Sequence, residues 1–406
     1  MTPVDARRLL SARTPTLTEH RSRFGRIRDG VADELVPVLG EAGLTGRGGA
    51  GFPTARKVAS ITGRAPVVVG NGAEGEPLSR KDDVLIRRAP HLILDGLHLA
   101  ADAVGSDEVY LYLPRHLVPV AHVALDERAA AGMDRRPVSV VEAPDVFVAG
   151  EESAVVRRIE GGRALPRDRT VPTSTSGVRG RPTLVNNVET LAHIALIARY
   201  GPRWFRSLGD PADPGTMLIT LSGADNRRSV VELPTGTPFA DVLARGSHDA
   251  CDTQAVLVGG YHGSWIPLAN LVGAHLSRPS LAHLGASPGA GIVHVLPTTE
   301  CGLAKTADIL AYLTDHGARQ CGPCRNGLPA LAQLFDDLAY GPFTDGLLDE
   351  VHRTLGLVDG RGACRHPDGT VRLARSALAA FASDVTQHRV GRCDAALAVA
   401  QRADHR

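Results

Sequence analysis

A closely spaced pair of cysteines is the chain's strongest indication of chemistry. Cys321 and Cys324 form a C-x-x-C pair, and Cys364 follows further along the chain. The pair lies between two predicted helices, whereas the redox C-x-x-C of thioredoxin-like proteins belongs to a βαβ unit. Three thiolates from two loops at one end of a helical bundle suit an iron–sulfur cluster or zinc. The sequence therefore predicts a metal site here, with unpaired thiols as the alternative.

A glycine-rich segment at residues 43–57 is suited to holding an anion. Four glycines within it lack a Cβ atom, so the backbone can take positive φ and approach a ligand closely: Gly46, Gly48, Gly49 and Gly51. Its backbone N–H groups form an anion cradle, Arg47 and Lys57 add positive charge, and Phe52 offers a ring to a planar ligand. The alternative is a glycine-rich surface loop. The match to a dinucleotide fingerprint is weak, because a helix and not a strand is predicted before it.

Glutamates and asparagines lie in pairs at predicted strand ends or helix starts. The pairs are Glu74 and Glu76, Glu151 and Glu152, and Asn186 and Asn187. Carboxylates in such turns accept hydrogen bonds from ribose hydroxyls or from the N–H groups of a flavin or nicotinamide. Paired amides bind phosphate or the edge of an isoalloxazine ring. The alternative for each pair is a helix N-cap or a solvated turn.

The hydrophobic pattern predicts an α/β region, then a small β-rich module, then a helical bundle. Strands are predicted at 66–70, 109–113 and 138–142, and helices at 29–42, 91–104, 151–160 and opening within 182–191. In the middle, strands at 217–222, 230–233 and 255–258 with a helix at 237–244 suggest a β-grasp module. Helices at 304–316, 325–339, 344–356 and 371–387 form the predicted four-helix bundle.

Charge and composition exclude several classes of protein. The chain has 406 residues and a formal net charge of +1, so no field for nucleic acid or an anionic membrane is expected. No apolar run approaches the roughly 20 residues of a membrane span, and we expect a soluble cytoplasmic protein without direct membrane insertion. A disulfide framework is not expected in such a protein. The other cysteines are predicted to be small core residues: Cys251, Cys301 and Cys393.

Taken together, these stretches resemble the FMN- and NADH-binding flavoprotein (51-kDa, F-type) subunit of NADH:quinone oxidoreductase, or complex I. Diaphorase subunits of related hydrogenases and formate dehydrogenases belong to the same family. The resemblance runs from about Gly43 to Leu378 through GLTGRGGAGFPTARK, NGAEGEPLSRKD, GEES, GRPTLVNNVETLA and CGPCRNG. It implies an α/β FMN/NADH-binding domain at 1–210, a β-grasp (SLBB-like) domain at 215–275 and a helical iron–sulfur cluster domain at 295–390.

The same resemblance implies where the nucleotides bind. It places FMN against Arg47, Gly48, Gly49, Gly51, Lys57, Asn71, Glu74, Gly150, Glu151, Glu152, Asn186, Asn187 and Thr190. Lys57 is expected near the flavin, where its charge favours the anionic reduced form. Glu76 and Glu152 are expected at the nicotinamide nucleotide, NAD(H), with the ring of Phe52 stacked beside it.

The chain departs from the family at the cluster. Three cysteines match ligands of a 4Fe-4S cluster: Cys321, Cys324 and Cys364. Ala318 stands where the family has its first cysteine. The fourth ligand is then His316, Asp315, water or an added thiol, or the cluster is a 3Fe-4S form.

A second departure concerns the aromatic residues that stack NADH in the family. Phe52 is kept, but Ser60 and Pro172 stand where further rings are expected, and Phe147 replaces a tyrosine near the flavin. Base–aromatic stacking contributes roughly 1–3 kcal/mol per ring. We therefore expect the flavin site to be kept and NADH binding to be weakened.

These observations predict an electron-transfer flavoprotein, a NADH dehydrogenase- or diaphorase-type oxidoreductase subunit. It would pass electrons between NADH, FMN and an iron–sulfur cluster to a redox protein partner, such as a ferredoxin-type subunit. One alternative is a NADH-independent flavoprotein that exchanges electrons with ferredoxin or another redox protein. The other is a cofactor-poor scaffold subunit that acts by binding proteins.

Overall fold

The structure, a computed structural model, describes residues 7–168, 171–223, 227–246 and 252–404. Cys251, predicted to be a core residue, lies outside these ranges. The chain divides into two compact units. The first holds the described residues up to Thr220 together with Val230–Thr237, and the second holds Leu221–Ser229 and the described residues from Pro238 onward. No helix in the described ranges is long and apolar enough to cross a membrane.

The first unit is an α/β structure. Its helices are α1 (Leu17–Phe24), α2 (Leu35–Ala42), α3 (Thr54–Ala59), α4 (Lys81–Arg88), α5 (Pro90–Val104), α6 (Val118–Ala130), α7 (Glu152–Ile159) and α8 (Val188–Phe205). Its strands are β1 (Val67–Asn71), β2 (Glu108–Pro114), β3 (Val138–Ala143) and β4 (Thr183–Asn187), with a short ribbon of β5 (Gly209–Asp210) and β6 (Asp213–Pro214). The four longer strands are parallel, in the order β3-β2-β1-β4.

Both faces of this parallel sheet are buried, which explains why β1 reads as an unbroken run of valines. Val68 and Leu111 belong to a core that includes residues of α5 and α8. Val67, Val69 and Tyr112 belong to a smaller core that includes residues of α7. The alternation places successive residues of one strand in two different cores.

A five-stranded sheet and a set of helices make up the rest of the structure. The strands are β7 (Thr216–Ser222), β8 (Arg228–Pro234), β9 (Thr253–Val258), β10 (Ser264–Pro267) and β11 (Ile292–Pro297), in the order β10-β9-β11-β7-β8. The helices are α9 (Phe239–Ala244), α10 (Arg278–Ala282), α11 (Gly302–Asp315), α12 (Leu328–Tyr340), α13 (Leu347–Val358), α14 (His366–Ala380), α15 (Ala382–Arg389) and α16 (Asp394–Asp404). The division between the two units falls within β7 and β8.

Several predicted elements need correction. The helix predicted at 29–42 begins only at Leu35. The segment at 182–191, which was predicted to open a helix, first forms β4, a strand that was not predicted. Strands β10 and β11 were not predicted. They pair with β9 on either side, a contact between distant segments that local periodicity does not report.

The helix predicted at 371–387 is in fact two helices. α14 ends at Ala380 and α15 begins at Ala382, with Phe381 outside helical geometry between them (φ −112°, ψ 30°). The buried ring of Phe381 packs edge-on against Trp265, with 5.4 Å between ring centroids. A Cβ atom on Gly302 would lie 2.3 Å from the same ring. Tertiary packing therefore breaks the helix where the sequence has neither glycine nor proline.

Candidate functional site

The crevice between β1 and β4 is where this sheet is best suited to bind a ligand. β2 and β3 lie on one side of β1 and β4 on the other, so the strand order reverses between β1 and β4. In open α/β sheets, ligands bind at the carboxyl ends of strands at such a reversal. Asn71 and Asn187, the last residues of the two strands, pair in register there. The motif that contains Asn71 and the motif that contains Asn187 thus meet at one edge of the sheet.

The glycine loop is held at this crevice by its backbone. Gly46 N donates to Phe52 O at 2.9 Å and closes the loop. The Arg47 amide donates to the Thr190 hydroxyl at the start of α8, at 2.9 Å. A Cβ atom on Gly48 would lie 3.1 Å from the Cβ of Asn187. The loop backbone therefore lies close to Asn187, the N-cap of α8, and its close approach to a ligand stays a prediction.

Two other glycines of the loop take backbone conformations that side chains disfavour. Gly49 has φ +119° and Gly51 has φ +65°. L-residues rarely adopt such values, whereas glycine does so at no steric cost. The loop conformation thus depends on these two positions as well as on the contact with α8.

The side chain of Arg47 takes a different direction from the loop's amides. It is buried, and its Nη1 lies 3.5 Å from Asp213 Oδ1 while its Nη2 donates to Pro214 O at 3.1 Å. Its guanidinium therefore ties the loop to the β5–β6 ribbon. The contact predicted between Arg47 and FMN stays a prediction.

The turns that follow β1 and β3 are in direct backbone contact. The Asn71 side-chain amide donates to Gly150 O at 2.9 Å. A Cβ atom on Gly75 would lie 2.4 Å from Phe147 O, and one on Gly150 would lie 3.2 Å from Ala73 O. The glycines of both motifs are needed because two chain segments touch here without room for side chains.

Two of the predicted ligand glutamates cap helices. Glu74 is largely buried, and its carboxylate accepts the Asp82 and Asp83 amides at the start of α4, each at 3.0 Å. Burial, followed by the nearby Asp82 charge, raises the pKa of Glu74. Glu151 is the N-cap of α7 and accepts the Ala154 amide at 3.1 Å. The N-cap alternative is thus realised for Glu151, whereas Glu74 binds the amides of α4 from outside the N-cap position. The contact of both with FMN stays a prediction.

The remaining predicted residues at this edge are more open. Lys57 Nζ donates to Glu152 Oε1 and to Val185 O, and Glu152 Oε2 accepts the Thr173 hydroxyl at 3.0 Å. Phe52 is 48% exposed. Glu76 is partly buried in the turn after β1. The Phe52 ring and the Lys57–Glu152 pair are both partly exposed, so they can contact a second ligand.

A buried ionic cluster beneath the asparagines was not predicted. Lys81 Nζ lies 2.7 Å from Asp82 Oδ1, 2.9 Å from Glu189 Oε2 and 3.4 Å from Asn187 Oδ1. Burial disfavours its charge, but Asp82 and Glu189 outweigh this and raise the pKa of Lys81. Asn187 also donates to Asp82 Oδ2 at 2.7 Å. Lysine is rare in this arginine-rich chain, which was the one available sign.

Asn186 differs from its neighbour. Asn187 N-caps α8, as the sequence alternative proposed. The Asn186 side-chain nitrogen is buried and has no hydrogen-bond partner among the residues that the structure describes. Buried amide donors are nearly always paired. This donor therefore fits a polar ligand in the crevice.

In the second unit, the loop after α11 arranges backbone donors around one of the predicted cysteines. The Cys324 sulfur accepts the amides of Ala318 and Arg319 and lies in hydrogen-bond contact with Cys321. Arg319 has a left-handed backbone (φ +53°), a conformation that non-glycine residues keep mainly at functional sites. Burial raises the pKa of the Cys324 thiol, and these amides oppose the shift. N–H donors to sulfur are a recognised means of tuning iron–sulfur clusters.

The three predicted cysteines lie at the beginning of two helical segments. Cys324 lies within a single π-helical turn, Pro323–Gly327, a geometry frequent at functional sites. Cys321 is partly buried just before that turn. Cys364 is buried just before α14. The chemistry of three sulfur donors from two loops fits an iron–sulfur cluster.

The two side chains predicted as possible fourth ligands of the cluster, Asp315 and His316, differ in burial and in their bonds to other residues. Asp315 is 73% exposed and paired with Arg319 at 3.0 Å. The His316 ring stacks on Tyr312 with centroids 4.0 Å apart, and its Nδ1 is buried without a hydrogen-bond partner in the described part of the chain. His316 is therefore the better candidate.

Sequence reasoning missed His366 near this loop. A Cβ atom on Gly317 would lie 3.1 Å from Cys324 Sγ and 3.2 Å from His366 Nε2. The same nitrogen donates to Leu313 O at 2.8 Å, and His262 Nε2 lies 3.1 Å from His366 Nδ1. His366 is thus engaged on both ring nitrogens. Its place two residues after Cys364 was the only sequence sign.

Comparisons with known proteins place this chain among flavin- and iron–sulfur-dependent electron-transfer subunits. Residues 39–196 match a family model described as the Nuo51 FMN-binding domain. Residues 304–388 match the NADH-ubiquinone oxidoreductase-F iron-sulfur binding region. The two matches cover the crevice of the first unit and the cysteine loop of the second.

Individual relatives narrow this class to one family. The chain is 30% identical over 375 residues to one of the F-type subunits of NADH-quinone oxidoreductase in Rhizobium meliloti, covering 88% of this chain and 89% of that one. It is 30% identical over 397 residues to the F-type subunit of the same enzyme in Salmonella typhimurium, covering 90% and 88%. The chain therefore belongs to the family of F-type subunits of NADH-quinone oxidoreductases.

A solved structure agrees with this family. An NAD+-reducing NiFe hydrogenase in its H2-reduced state matches with a TM-score of 0.79 and 29% identity, over 92% of this chain and 67% of the matched chain. The predicted class is confirmed: a NADH dehydrogenase-type oxidoreductase subunit that transfers electrons, with FMN and a 4Fe-4S cluster as its cofactors. The parallel α/β sheet and the helical C-terminal region are confirmed as well.

Proposed function

We propose that FMN binds in the crevice between β1 and β4, with the glycine loop against its phosphate. The observation that carries this proposal is the buried, unpartnered amide of Asn186 beside a loop in close contact with α8. FMN supplies the exchange between two-electron hydride chemistry and single-electron transfer. The residues of this chain bind the flavin, orient it and set the charge around it.

Within this site we assign two kinds of role. Lys57, held by Glu152 and Val185 O, supplies the positive charge at the open side of the crevice. Asn71 and Gly150 shape the wall where two turns touch. Five residues hydrogen-bond to other groups of the chain and so position the glycine loop and the turns around the flavin: Arg47, Glu74, Glu151, Asn187 and Thr190.

For the cluster we propose Cys321, Cys324 and Cys364 as ligands and His316 as the fourth. A cubane held by three thiolates alone has one iron without a protein ligand. The buried, unpartnered Nδ1 of His316 supports it as the completing donor. Without such a donor, the same site would hold a 3Fe-4S form.

NADH is the substrate we propose for the open side of the crevice, with weaker binding than a site with several rings would give. Phe52 offers an exposed ring, Glu76 lies in the turn after β1, and Glu152 lies at the start of α7. Ser60 and Pro172 provide no ring where the family has them. Each missing ring removes roughly 1–3 kcal/mol of stacking.

The partner we propose is a further redox subunit of ferredoxin type that accepts electrons from the cluster. The NADH-quinone oxidoreductases and the NAD+-reducing hydrogenase among the relatives support an oxidoreductase assembly. A cytoplasmic location stays a prediction.

One spectrum and one titration test this function. Anaerobically purified protein should show flavin absorbance together with broad iron–sulfur absorbance. NADH should then bleach both, and half-bleaching should require a higher NADH concentration than a ring-rich site needs. A yellow protein that only reduced ferredoxin bleaches would favour the NADH-independent alternative. A colourless protein that binds neither FMN nor iron on reconstitution would favour the scaffold alternative.

We further propose that the five-stranded sheet with α9 is the SLBB-like β-grasp module. The prediction ended this domain at residue 275, before β11. Because β11 pairs with β9, we extend the module to Pro297. The helical iron–sulfur domain then begins at α11.

A further inference from the structure

Three side chains outside the proposed cofactor sites converge in the second unit. Cys301 immediately precedes α11, His388 lies in the last turn of α15, and Cys393 immediately precedes α16. Within the described ranges, one ligand atom from each residue lies within 4.8 Å of the other two. The sequence reading took both cysteines for small core residues, but all three side chains are only partly buried.

The spacing of these atoms is that of a metal site. Cys301 Sγ lies 3.6 Å from His388 Nε2. Zinc bonds sulfur at about 2.3 Å and imidazole nitrogen at about 2.0 Å, so a tetrahedral site separates the two donors by roughly 3.6 Å. Two thiolates and one imidazole are a donor set that zinc prefers over calcium or magnesium.

The surroundings hold two of these donors in ligating orientation. His388 Nδ1 donates to Leu338 O at 2.9 Å, which leaves Nε2 as the nitrogen that faces Cys301. A metal-bound histidine almost always makes such a bond through its other nitrogen. The Cys301 sulfur accepts the amides of Leu303 and Ala304 at the start of α11 and lies 3.6 Å from His388 Nε2.

This cluster of side chains is separate from the cysteine loop. Cys301 precedes α11, whereas Cys321 and Cys324 follow it. α11 has 14 residues, so its two ends lie about 21 Å apart. One metal ion cannot use both sets of cysteines.

We propose that Cys301, His388 and Cys393 form a structural zinc site, which no described family feature assigns. A water molecule completes the tetrahedron. The ion ties the start of α11, the end of α15 and the start of α16 together. It therefore anchors the terminal helix to the bundle.

The test measures zinc in the full-length protein, in three cysteine variants and in one histidine variant. Protein purified without metal-affinity chromatography is analysed by plasma mass spectrometry. Wild type and Cys321→Ser should carry about one zinc per chain. Cys301→Ser and Cys393→Ser should carry less than about a tenth of that, with iron unchanged. His388→Gln should behave like them, and circular dichroism confirms that each variant is folded.

A cobalt titration gives an independent readout. Co2+ added anaerobically to zinc-stripped Cys321→Ser should produce a thiolate-to-cobalt charge-transfer band and tetrahedral d–d bands. Zinc should abolish both bands and raise the melting temperature. The same additions to Cys321→Ser/Cys301→Ser should produce neither effect.

Three results would overturn the proposal. Zinc retained in Cys301→Ser and lost in Cys321→Ser would place the ion on the cluster cysteines. Absence of zinc from wild type with no cobalt bands would show that the three side chains only hydrogen-bond. A Cys301–Cys393 disulfide in anaerobically purified protein, seen by peptide mass, would replace the metal with a covalent link.

Discussion

The crevice of the first unit and the cysteine loop of the second differ in what holds their residues in place. At the crevice, Asn71, Glu74 and Asn187 each make at least two hydrogen bonds to neighbouring protein groups, and the buried Asn186 amide is left for a ligand. At the cysteine loop, Cys324 receives two backbone amides. His316 keeps a buried nitrogen without a partner in the described part of the chain.

This difference indicates which site depends more on its cofactor. A crevice whose walls are bonded to each other keeps its shape without ligand and loses little order when empty. A loop whose donors point at sulfur is completed only by metal, so metal binding and loop order are coupled. We therefore expect FMN to bind a preformed site and the cluster to order its loop.

The largest effect is expected from Cys324→Ser. It removes the sulfur that accepts both loop amides, so iron content should fall to less than about a tenth of wild type. FMN content should remain unchanged, because the crevice holds its own shape. Iron and flavin assays on the same sample check this, with Cys393→Ser as the control that keeps iron. Parallel loss of flavin would show that the two sites are not independent.

Lys81→Met tests whether the crevice is self-supporting. Removing one partner from a buried ion pair costs about 3–5 kcal/mol, since Asp82 and Glu189 are left without their cation. Lys57→Met breaks a partly exposed pair and should cost about 1 kcal/mol or less. Denaturant unfolding of the FMN-free proteins measures both. Equal losses for the two variants would contradict the structural role of Lys81.

Gly49→Val addresses the loop itself. The residue has φ +119°, which valine disfavours, so the cradle should deform and FMN affinity should fall at least about tenfold, or about 1.4 kcal/mol. Gly105→Val places valine at a positive φ of +70° in open space after α5. It should leave FMN affinity unchanged. Fluorescence titration of FMN separates the two, and a wild-type affinity for Gly49→Val would remove this loop from the site.

Ala318→Cys sharpens the cluster side of the comparison. A fourth thiolate should stabilise the 4Fe-4S form and lower its reduction potential, because thiolate favours the oxidised cluster more than imidazole does. Iron counting and EPR of anaerobically reconstituted protein check the cluster type. His316→Ala should move the other way, toward 3Fe-4S. An unchanged spectrum in both variants would show that a solvent molecule, and not residue 316 or 318, is the fourth ligand of the cluster.

The smallest effect is expected from Ser60→Phe. One added ring contributes roughly 1–3 kcal/mol of stacking, so NADH should bind about fivefold tighter or better. Phe52→Ala should weaken NADH by a similar factor, while FMN affinity stays the same in both. Stopped-flow flavin reduction at varied NADH gives these values. Tight NADH binding by the unaltered protein would show that the missing rings do not matter.

The short motifs of the sequence carried the resemblance to the family, and that resemblance predicted its cofactors. The residues of the glycine loop, of each glutamate pair and of the C-x-x-C pair lie next to one another within their own motif. Each motif can therefore be recognised from a short stretch of sequence. The same reasoning located β1, β2, β3 and most helices, because their burial repeats along the chain with a fixed period. It could not locate β4, β10 or β11, whose partners lie far away in sequence.

Only the tertiary structure decided what each polar side chain does. Glu151 caps α7 while the adjacent Glu152 pairs with Lys57, although the two are the same residue type. Arg47 turns its charge toward Asp213, a residue far along the chain. The convergence of Cys301 with His388 likewise depends on how the helices pack. Hydrogen bonds and ion pairs act over about 3–4 Å, so their partners are set by packing between distant segments, which local sequence does not encode.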